Sequence, residues 1–229
     1  MRGSPCISLG KIALIAAASS SEPQRALNTA KEGLTLIYVL QLRFKKITLL
    51  ILFMQKSIQV LNSLSTDIDT IFEFYDLAIE YQKKVSPKQW QGFDRALVQQ
   101  EIEEGRQYKI LVDGTVAAIF AVTYSDPQIW LGKDHEKAVY IHRIVTHPAF
   151  RGYGFVNIIV DWAKGYSKEK PLDYIRMDTW ADNEKLLAYY TSCGFQHVGE
   201  IKIATDSGLP KHYEGITLNL FEIRLEVKS

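Results

Sequence analysis

A run of β-branched and aromatic side chains at residues 138–146, followed by two glycines and a helical pattern, constrains the fold of this chain most strongly. A run of this kind is typical of a central strand. Gly152 and Gly154 come next, and from Phe155 the apolar side chains recur at helical spacing. This order leaves unpaired backbone N–H groups at the helix N-terminus, where an anion can bind. The sequence therefore predicts an anion-binding turn after a central strand.

The patterns on both sides of this unit predict a mixed sheet. A hairpin turn is expected at Asp113-Gly114, and Gly105 and Gly194 stand where helices should stop. Asp182 is expected to cap the last helix. The predicted elements are, in chain order, strand 58–60, helices 68–85 and 87–104, strands 108–112, 115–124 and 138–146, helix 155–170, strand 174–179, helix 182–193, and strands 197–203 and 216–227. This order indicates an α/β fold of the mixed α+β type, with helices on the faces of a central sheet.

Composition and charge exclude several classes of protein. Of the 229 residues, 47% are hydrophobic and 23% are charged, which rules out collagen-like, low-complexity and wholly disordered chains. Residues 1–56 carry a net charge of +6 and residues 57–229 a net charge of −5, so the larger part offers no basic surface for a phosphate backbone. Cys6 and Cys193 stand too far apart in sequence to suggest a disulfide framework or a metal site. We therefore expect a cytoplasmic protein that does not bind nucleic acid.

The first 56 residues follow a different pattern from the rest. Two apolar runs, Leu34–Leu40 and Ile47–Met54, are separated by charged side chains, and each is much shorter than the roughly 20 residues of a membrane-spanning helix. A membrane span is therefore not expected. Three interpretations stay open: a non-native or upstream extension before a true start at Met54, a targeting signal, and a basic, apolar membrane anchor. The expected organisation is an N-terminal extension at 1–56 and a folded domain at 57–229.

Two motifs in the second half of the chain carry a family resemblance. Residues 147–154 read His-Pro-Ala-Phe-Arg-Gly-Tyr-Gly, and residues 183–195 contain Asn183, Tyr190 and a final Gly-Phe. The first motif is neither a P-loop nor a dinucleotide-binding fingerprint, because no Gly-Lys-Ser/Thr and no third glycine follow. Together the motifs resemble the pyrophosphate loop Gln/Arg-x-x-Gly-x-Gly/Ala and the Tyr-x-x-x-Gly-Phe helix end of the GNAT superfamily of acyl-CoA N-acyltransferases. The resemblance covers residues 57–229 and implies a GNAT-like central mixed β-sheet flanked by helices on both faces.

The resemblance implies acetyl-CoA as the co-substrate and assigns its contacts. Backbone groups of Ile144 and Val145 are expected beside the pantetheine arm and the acyl carbonyl, and Asn183 beside the cofactor arm. Val156 departs from the family pattern, which has Gly or Ala there, and its β-branched side chain is expected to crowd the pyrophosphate. Main-chain N–H groups of the turn are expected to hold the pyrophosphate, and the turn consists of Arg151, Gly152, Tyr153, Gly154, Phe155 and Val156.

Three side chains are candidates for the proton transfers that this chemistry requires. Tyr190 is the candidate acid, because a phenol donates a proton without being charged at neutral pH. The alternative for Tyr190 is a packed helix aromatic. Many relatives have a Glu where this chain has Tyr140, and strand alternation places Tyr140, His142 and Ile144 on one face. His142 is therefore a candidate base or a structural hydrogen bonder. Asp178 is a second candidate base, and it equally fits a role in orienting a substrate ammonium or capping the next loop.

The function predicted from the resemblance is N-acetyl transfer from acetyl-CoA to a primary amine by direct nucleophilic attack, with no metal. The expected acceptor is a small molecule or a peptide, and the resemblance also allows a homodimer. A non-catalytic acyl-CoA-binding regulatory module is the alternative, because of Val156 and the missing Glu. Candidate acceptor contacts are the loop at His212-Tyr213 and four aromatic side chains that equally fit the core, namely Trp130, Tyr140, Trp180 and Tyr189.

Overall fold

The computed structural model describes residues 34–35, 37–46, 56–168 and 170–226. The chain divides into two compact units, residues 1–55 and 56–229. In the first unit, residues 34–35 and 37–46 are helical, and the predicted apolar run Ile47–Met54 lies outside the described residues. None of the helices in the described ranges is long and apolar enough to cross a membrane.

One mixed sheet of seven strands organises the described residues of the second unit, in the order β1-β2-β3-β4-β5-β7-β6. Strands β4 and β5 are parallel, and the other neighbouring strands are antiparallel. The predicted mixed α/β architecture is confirmed. The strands are β1 (Ile58–Asn62), β2 (Gln107–Val112), β3 (Thr115–Thr123), β4 (Ala138–Thr146), β5 (Tyr174–Trp180), β6 (Gln196–Lys202) and β7 (Thr217–Arg224), and the helices are α1 (Ile68–Val85), α2 (Arg95–Glu103), α3 (Pro127–Trp130), α4 (Phe155–Tyr166) and α5 (Glu184–Ser192).

Helices cover both faces of the sheet, because neighbouring side chains of each strand point to opposite sides. Phe120 of β3 belongs to the buried cluster that contains Ile159 of α4 and Tyr190 of α5. Ile119, the neighbour of Phe120, packs instead with Ile71 of α1 and with α2. The apolar stripes of these helices therefore enclose the sheet between two layers, which the sequence pattern predicted.

The second helix begins later than predicted. The sequence pattern placed its start at Pro87, but the structure starts α2 at Arg95. The side chain of Asp94 accepts hydrogen bonds from the backbone N–H groups of Ala96 and Leu97, as an N-terminal cap does. The loop before α2 carries aromatic side chains that pack on α1. Because these side chains are apolar, their spacing in the sequence resembles the pattern of a helix.

The predicted cap of α5 is also wrong. Asn183 occupies the N-cap position, and its side-chain oxygen accepts a hydrogen bond from the backbone N–H of Leu186 at 3.1 Å. Asp182 instead forms an ion pair with Lys88 at 2.7 Å. An amide side chain caps a helix as well as a carboxylate does. Asp182 precedes the cap by one position, and its carboxylate binds Lys88 instead of the helix.

A bulge in β4 changes the direction of its side chains. Arg143 has φ 51°, and the strand register shifts here: Val145 pairs with Ile119 but His142 pairs with Ala121. The extra residue breaks the alternation of side chains. Ile144 therefore packs with the cluster under α4, and Tyr140 lies in a cluster on the opposite face. The prediction that Tyr140, His142 and Ile144 share one face is wrong.

The buried guanidinium of Arg143 is held by Glu101 of α2. One nitrogen of Arg143 lies 2.6 Å from both carboxylate oxygens, and Gln107 donates a further hydrogen bond to Glu101 at 2.8 Å. The Glu101 side chain is only 7% exposed. The ion pair fixes the bulge and joins it to the helical layer.

We expect Glu101→Gln to lower the free energy of unfolding by about 3–5 kcal/mol, because it leaves a buried guanidinium without its counter-charge. Urea unfolding at pH 7 measures the change. The matched control is Glu103→Gln on the exposed side of α2, which should change stability by less than about 0.5 kcal/mol. Equal stabilities of the two variants would contradict this assignment.

Candidate functional site

A cleft of about 1250 Å³ opens where β4 and β5 separate. The two strands pair only from Ala138 to Tyr140 on β4 and from Tyr174 to Arg176 on β5, although both continue further. The backbone groups of β4 that face β5 therefore have no partner on that strand beyond Tyr140. The cleft is lined by the ends of both strands, the turn before α4, one side of α5, and residues of α1 and its following loop.

The turn between β4 and α4 has the features of an anion site. Gly152 and Gly154 have φ values of 84° and 68°, a backbone conformation that side chains with a Cβ rarely adopt. A Cβ at Gly152 would meet no atom within 4 Å, so the space beside the turn is open. No side chain in the described part of the chain caps α4, which leaves the first-turn N–H groups of Phe155 and Val156 available to a ligand. These features fit a pyrophosphate.

Two positive charges stand beside this turn. The guanidinium of Arg151 lies 4.4 Å from the ring centre of Tyr81 on α1. The ammonium of Lys56 lies 4.5 Å from the ring centre of Tyr153 and donates a hydrogen bond to its hydroxyl. Arg151 was predicted here from the motif. Lys56 was not, because no local pattern links it to a turn nearly a hundred positions away.

Val156 does not crowd the turn. Its side chain is 5% exposed and belongs to the core cluster between the sheet and α4. Phe155 is buried in the same cluster. The expectation that the β-branched side chain stands against the pyrophosphate is therefore wrong, because the helix turns that side chain inward.

The end of β4 presents backbone rather than side chains to the cleft. Val145 buries its side chain against α1, and Ile144 packs against the core on the other face. Both residues lie beyond the last β4–β5 pair, so this edge of β4 has no partner on β5 and leaves room for an extended ligand. The bulge at Arg143 makes this possible, because it re-aims the strand after His142.

Helix α5 contributes Asn183 and Tyr190 to the cleft. The side-chain oxygen of Asn183 is used as the helix cap, so only its NH₂ group remains for a ligand. Tyr190 is 8% exposed, and its ring contacts those of Phe195 and Phe221. Its hydroxyl has no hydrogen-bond partner among the described residues. Burial raises the pKa of Tyr190, so the phenol stays protonated at neutral pH.

Three titratable side chains meet in the cleft. Nε2 of His142 on β4 lies 3.5 Å from a carboxylate oxygen of Asp126, at the start of α3. Nδ1 of His142 lies 3.9 Å from a carboxylate oxygen of Asp178 on β5. The sequence singled out His142 and Asp178, and the structure brings them together. Asp126 was seen only as part of a loop, because no periodicity or spacing links it to the other two.

Burial shifts the proton equilibria of all three groups. It raises the pKa of Asp126 to about 7, with a contribution from the negative charge of Asp134. It raises the pKa of Asp178 to about 8, with a contribution from Asp126. Burial and the nearby Arg143 lower the pKa of His142 to about 3. At neutral pH the imidazole is therefore uncharged and the carboxyl groups titrate.

The same three residues offer ligand atoms within 4.8 Å of one another, a spacing compatible with a metal ion. The two carboxylates, however, face different nitrogens of the imidazole. A metal binds only one nitrogen of a given imidazole, whereas a proton can enter at one nitrogen as another leaves from the other. The geometry favours proton transfer over chelation.

The predicted aromatic wall of the cleft is correct in part. Trp180, Tyr189 and the loop residues His212 and Tyr213 line it. Trp130 and Tyr140 do not, because they are 2% and 0% exposed and pack around the guanidinium of Arg176. The structure adds two aromatic side chains from the loop before α2, Trp90 and Phe93, which sequence analysis assigned to a helix.

Known proteins resemble this chain over most of the residues that form the cleft. The family model described as Acetyltransferase (GNAT) family matches residues 71–195, which contain the turn, the three titratable residues and Tyr190. The uncharacterised N-acetyltransferase YesJ of Bacillus subtilis strain 168 is 25% identical over 141 residues, covering 58% of this chain and 78% of that protein.

Solved structures show the same fold. An acetyltransferase of the GNAT family from Listeria monocytogenes 4b F2365 superposes with a TM-score of 0.60 at 23% identity, covering 75% of this chain and all of that one. The structure of yncA from Salmonella typhimurium, determined with its cofactor acetyl-CoA, superposes with a TM-score of 0.54 at 13% identity, covering 75% of this chain and 96% of that one.

Proposed function

The chain belongs to the acetyltransferase (GNAT) family, and on that premise we propose that it transfers the acetyl group of acetyl-CoA to a primary amine by direct attack of the amine nitrogen. One observation carries the proposal. A single cleft holds an uncapped helix N-terminus, a protonated phenol and a cluster of groups that titrate near neutral pH. These are an anion site, an acid and a base, which amine acetylation needs together.

Acetyl-CoA supplies an activated acetyl group as a thioester. We expect the N–H groups of Phe155 and Val156, with the charges of Arg151 and Lys56, to bind its pyrophosphate. The peptide groups of Ile144 and Val145 would hydrogen-bond the extended arm, in the place that β5 leaves free. Backbone donors on this edge would also stabilise the negative charge that develops on the acetyl oxygen during attack.

Tyr190 is the proposed acid. Its raised pKa keeps the proton on the phenol, and its hydroxyl is free of other partners among the described residues. The phenol would give this proton to the departing sulfur, so that a neutral thiol leaves instead of a thiolate.

His142 and Asp178 are the proposed proton acceptors for the amine. His142 is the more accessible of the two, with 19% of its side chain exposed against 5% for Asp178. A neutral imidazole has one nitrogen free to accept a proton. Burial raises the pKa of Asp178 to about 8, so at neutral pH only its ionised fraction accepts a proton. An acceptor amine beside both groups would lose its proton before attack.

Thiol release from acetyl-CoA by the full chain tests the proposed function. The acceptor panel comprises polyamines, amino acids, aminoglycosides and peptides with a free N-terminus. Release that depends on at least one of these amines, with a matching acetylated product by mass spectrometry, would support the proposal. Binding of CoA by the folded protein without amine-dependent release would contradict it and favour a non-catalytic acyl-CoA-binding module.

We expect Gly152→Ala to raise the dissociation constant for CoA by about tenfold or more. The new Cβ enters the open space beside the turn, and φ 84° opposes any residue with a Cβ, so that one or two N–H bonds to the pyrophosphate are lost. Calorimetric titration with CoA measures the change. Gly114→Ala is the matched control, because Gly114 has φ 80° in the β2–β3 hairpin, outside the cleft. Equal affinity of the two variants would contradict the placement of the pyrophosphate.

A further inference from the structure

The carboxylate of Asp126 forms no hydrogen bond with the described residues that would stabilise the fold. Asp126 occupies the N-cap position of α3, where an Asp side chain usually accepts hydrogen bonds from the first turn, but here it makes no such bond. Its side chain is 8% exposed, and its Oδ2 atom is buried with no hydrogen-bond partner among the described residues. A buried polar atom without a partner is costly, so its retention calls for another reason.

The backbone of Asp126 is fixed without help from its own side chain. Its N–H donates to a carboxylate oxygen of Asp134 at 2.5 Å, and its carbonyl accepts from the N–H groups of Ile129 and Trp130. Ser125 donates to the other oxygen of Asp134 at 2.8 Å. The loop therefore fixes the backbone of Asp126, and its carboxylate lies 3.5 Å from Nε2 of His142.

We propose that Asp126 is the terminal proton acceptor of a relay that starts at the substrate ammonium and passes through His142, so that the acceptor substrate enters the cleft as an ammonium ion. The inference rests on the proposed function and adds a residue that neither the sequence motifs nor the family resemblance singled out. Asp178 lies on the Nδ1 side of the ring, where the ammonium would bind, His142 moves the proton, and Asp126 retains it.

The proton balance of the relay is complete. The N–H bond of the ammonium breaks, and its proton goes to Nδ1 of His142, beside Asp178. The N–H bond at Nε2 breaks in the same step, and that proton goes to the Asp126 carboxylate. The amine keeps the electron pair for attack, the imidazole ends neutral in its other tautomer, and Asp126 ends as a neutral acid.

The charges around the relay favour this direction. The negative charge of Asp134 adds to burial in raising the pKa of Asp126, which makes Asp126 a better proton acceptor. Arg143 and Arg106 face His142 with positive charge and oppose an imidazolium, so a transfer that keeps the ring neutral is preferred. Burial and the nearby Asp178 and Asp126 raise the pKa of Tyr213, although Arg143 lowers it, so Tyr213 stays protonated.

Asp126→Asn tests the relay, because it keeps the shape and removes the acceptor. In the wild type we expect kcat/KM to rise with pH to a plateau above about pH 7, where Asp126 is ionised. In the variant we expect kcat/KM at pH 7.5 to be lower by about tenfold or more. Its kcat/KM should continue to rise with pH toward the pKa of the amine, because only free amine then reacts. Affinity for CoA should not change. Asp182→Asn, in the same cleft but paired with Lys88, should keep the wild-type profile.

A second readout does not depend on activity. The ¹⁵N shifts of the His142 imidazole, assigned by their loss in His142→Gln, should show an inflection near pH 7 that is absent in Asp126→Asn. The variant should also unfold at higher urea concentration at pH 8, because a buried carboxylate whose pKa is raised destabilises the fold once ionised. An inflection retained in the variant, or a pH profile like that of the wild type, would overturn the relay. An active enzyme with either result would still have the proposed function.

Discussion

Replacing Tyr190 by Phe is expected to lower kcat by about 10²- to 10⁴-fold, the usual contribution of a positioned general acid. The ring contacts with Phe195 and Phe221 remain in the variant, so the helix and the cleft should keep their shape. Only the donor to the departing sulfur is removed. Affinity for CoA should change little, because the hydroxyl is not among the groups that bind the pyrophosphate.

The matched control is Tyr189→Phe, which makes the same change at the neighbouring, more exposed position on α5. It should keep most of the wild-type kcat. A second test varies the leaving group. An acetyl thioester of a more acidic thiol needs less help from an acid, so the difference in kcat between the wild type and Tyr190→Phe should be smaller with it. Equal loss in both tyrosine variants would contradict the role of Tyr190.

His142→Gln is expected to lower kcat/KM at pH 7 by about 10²-fold or more, because the ammonium then loses the group that carries its proton to Asp126. The pH dependence should change as well. The rate of the variant should rise about tenfold per pH unit up to the pKa of the acceptor, since it follows the fraction of free amine. Kinetics with one amine from pH 6 to pH 10 measure both effects.

His135→Gln is the control for this experiment, because His135 is exposed and lies outside the cleft. It should keep both the rate and the profile of the wild type. A His142 variant whose kcat/KM falls by the same factor at every pH would contradict the proton-transfer role and indicate that the imidazole only shapes the cleft.

Local chemistry in the sequence predicted the parts of the site that depend on consecutive residues. The strand at 138–146, the glycines of the turn and the start of α4 follow one another along the chain, so their arrangement is dictated by backbone conformation. The spacing of Asn183 and Tyr190 placed both on one helix face. His142 and Asp178 were found because each lies on a strand that the pattern revealed.

The other parts depend on tertiary packing. The bulge at Arg143 needs a buried partner, Glu101, from a distant helix, and alternation alone therefore misplaced Ile144. Asp126 reaches His142 only because the loop after β3 folds back on Asp134. The inward direction of Val156 follows from how α4 docks on the sheet, which the order of residues along the chain does not specify.

Initial-rate kinetics test the central claim, direct transfer to an amine, most directly. Thiol release by the full chain would be measured while the concentrations of acetyl-CoA and of the best amine are varied together. We expect intersecting double-reciprocal lines and no acetylated form of the protein by intact mass, because both substrates must occupy the cleft before transfer. Parallel lines with an acetylated protein, or thiol release that no amine increases, would contradict it.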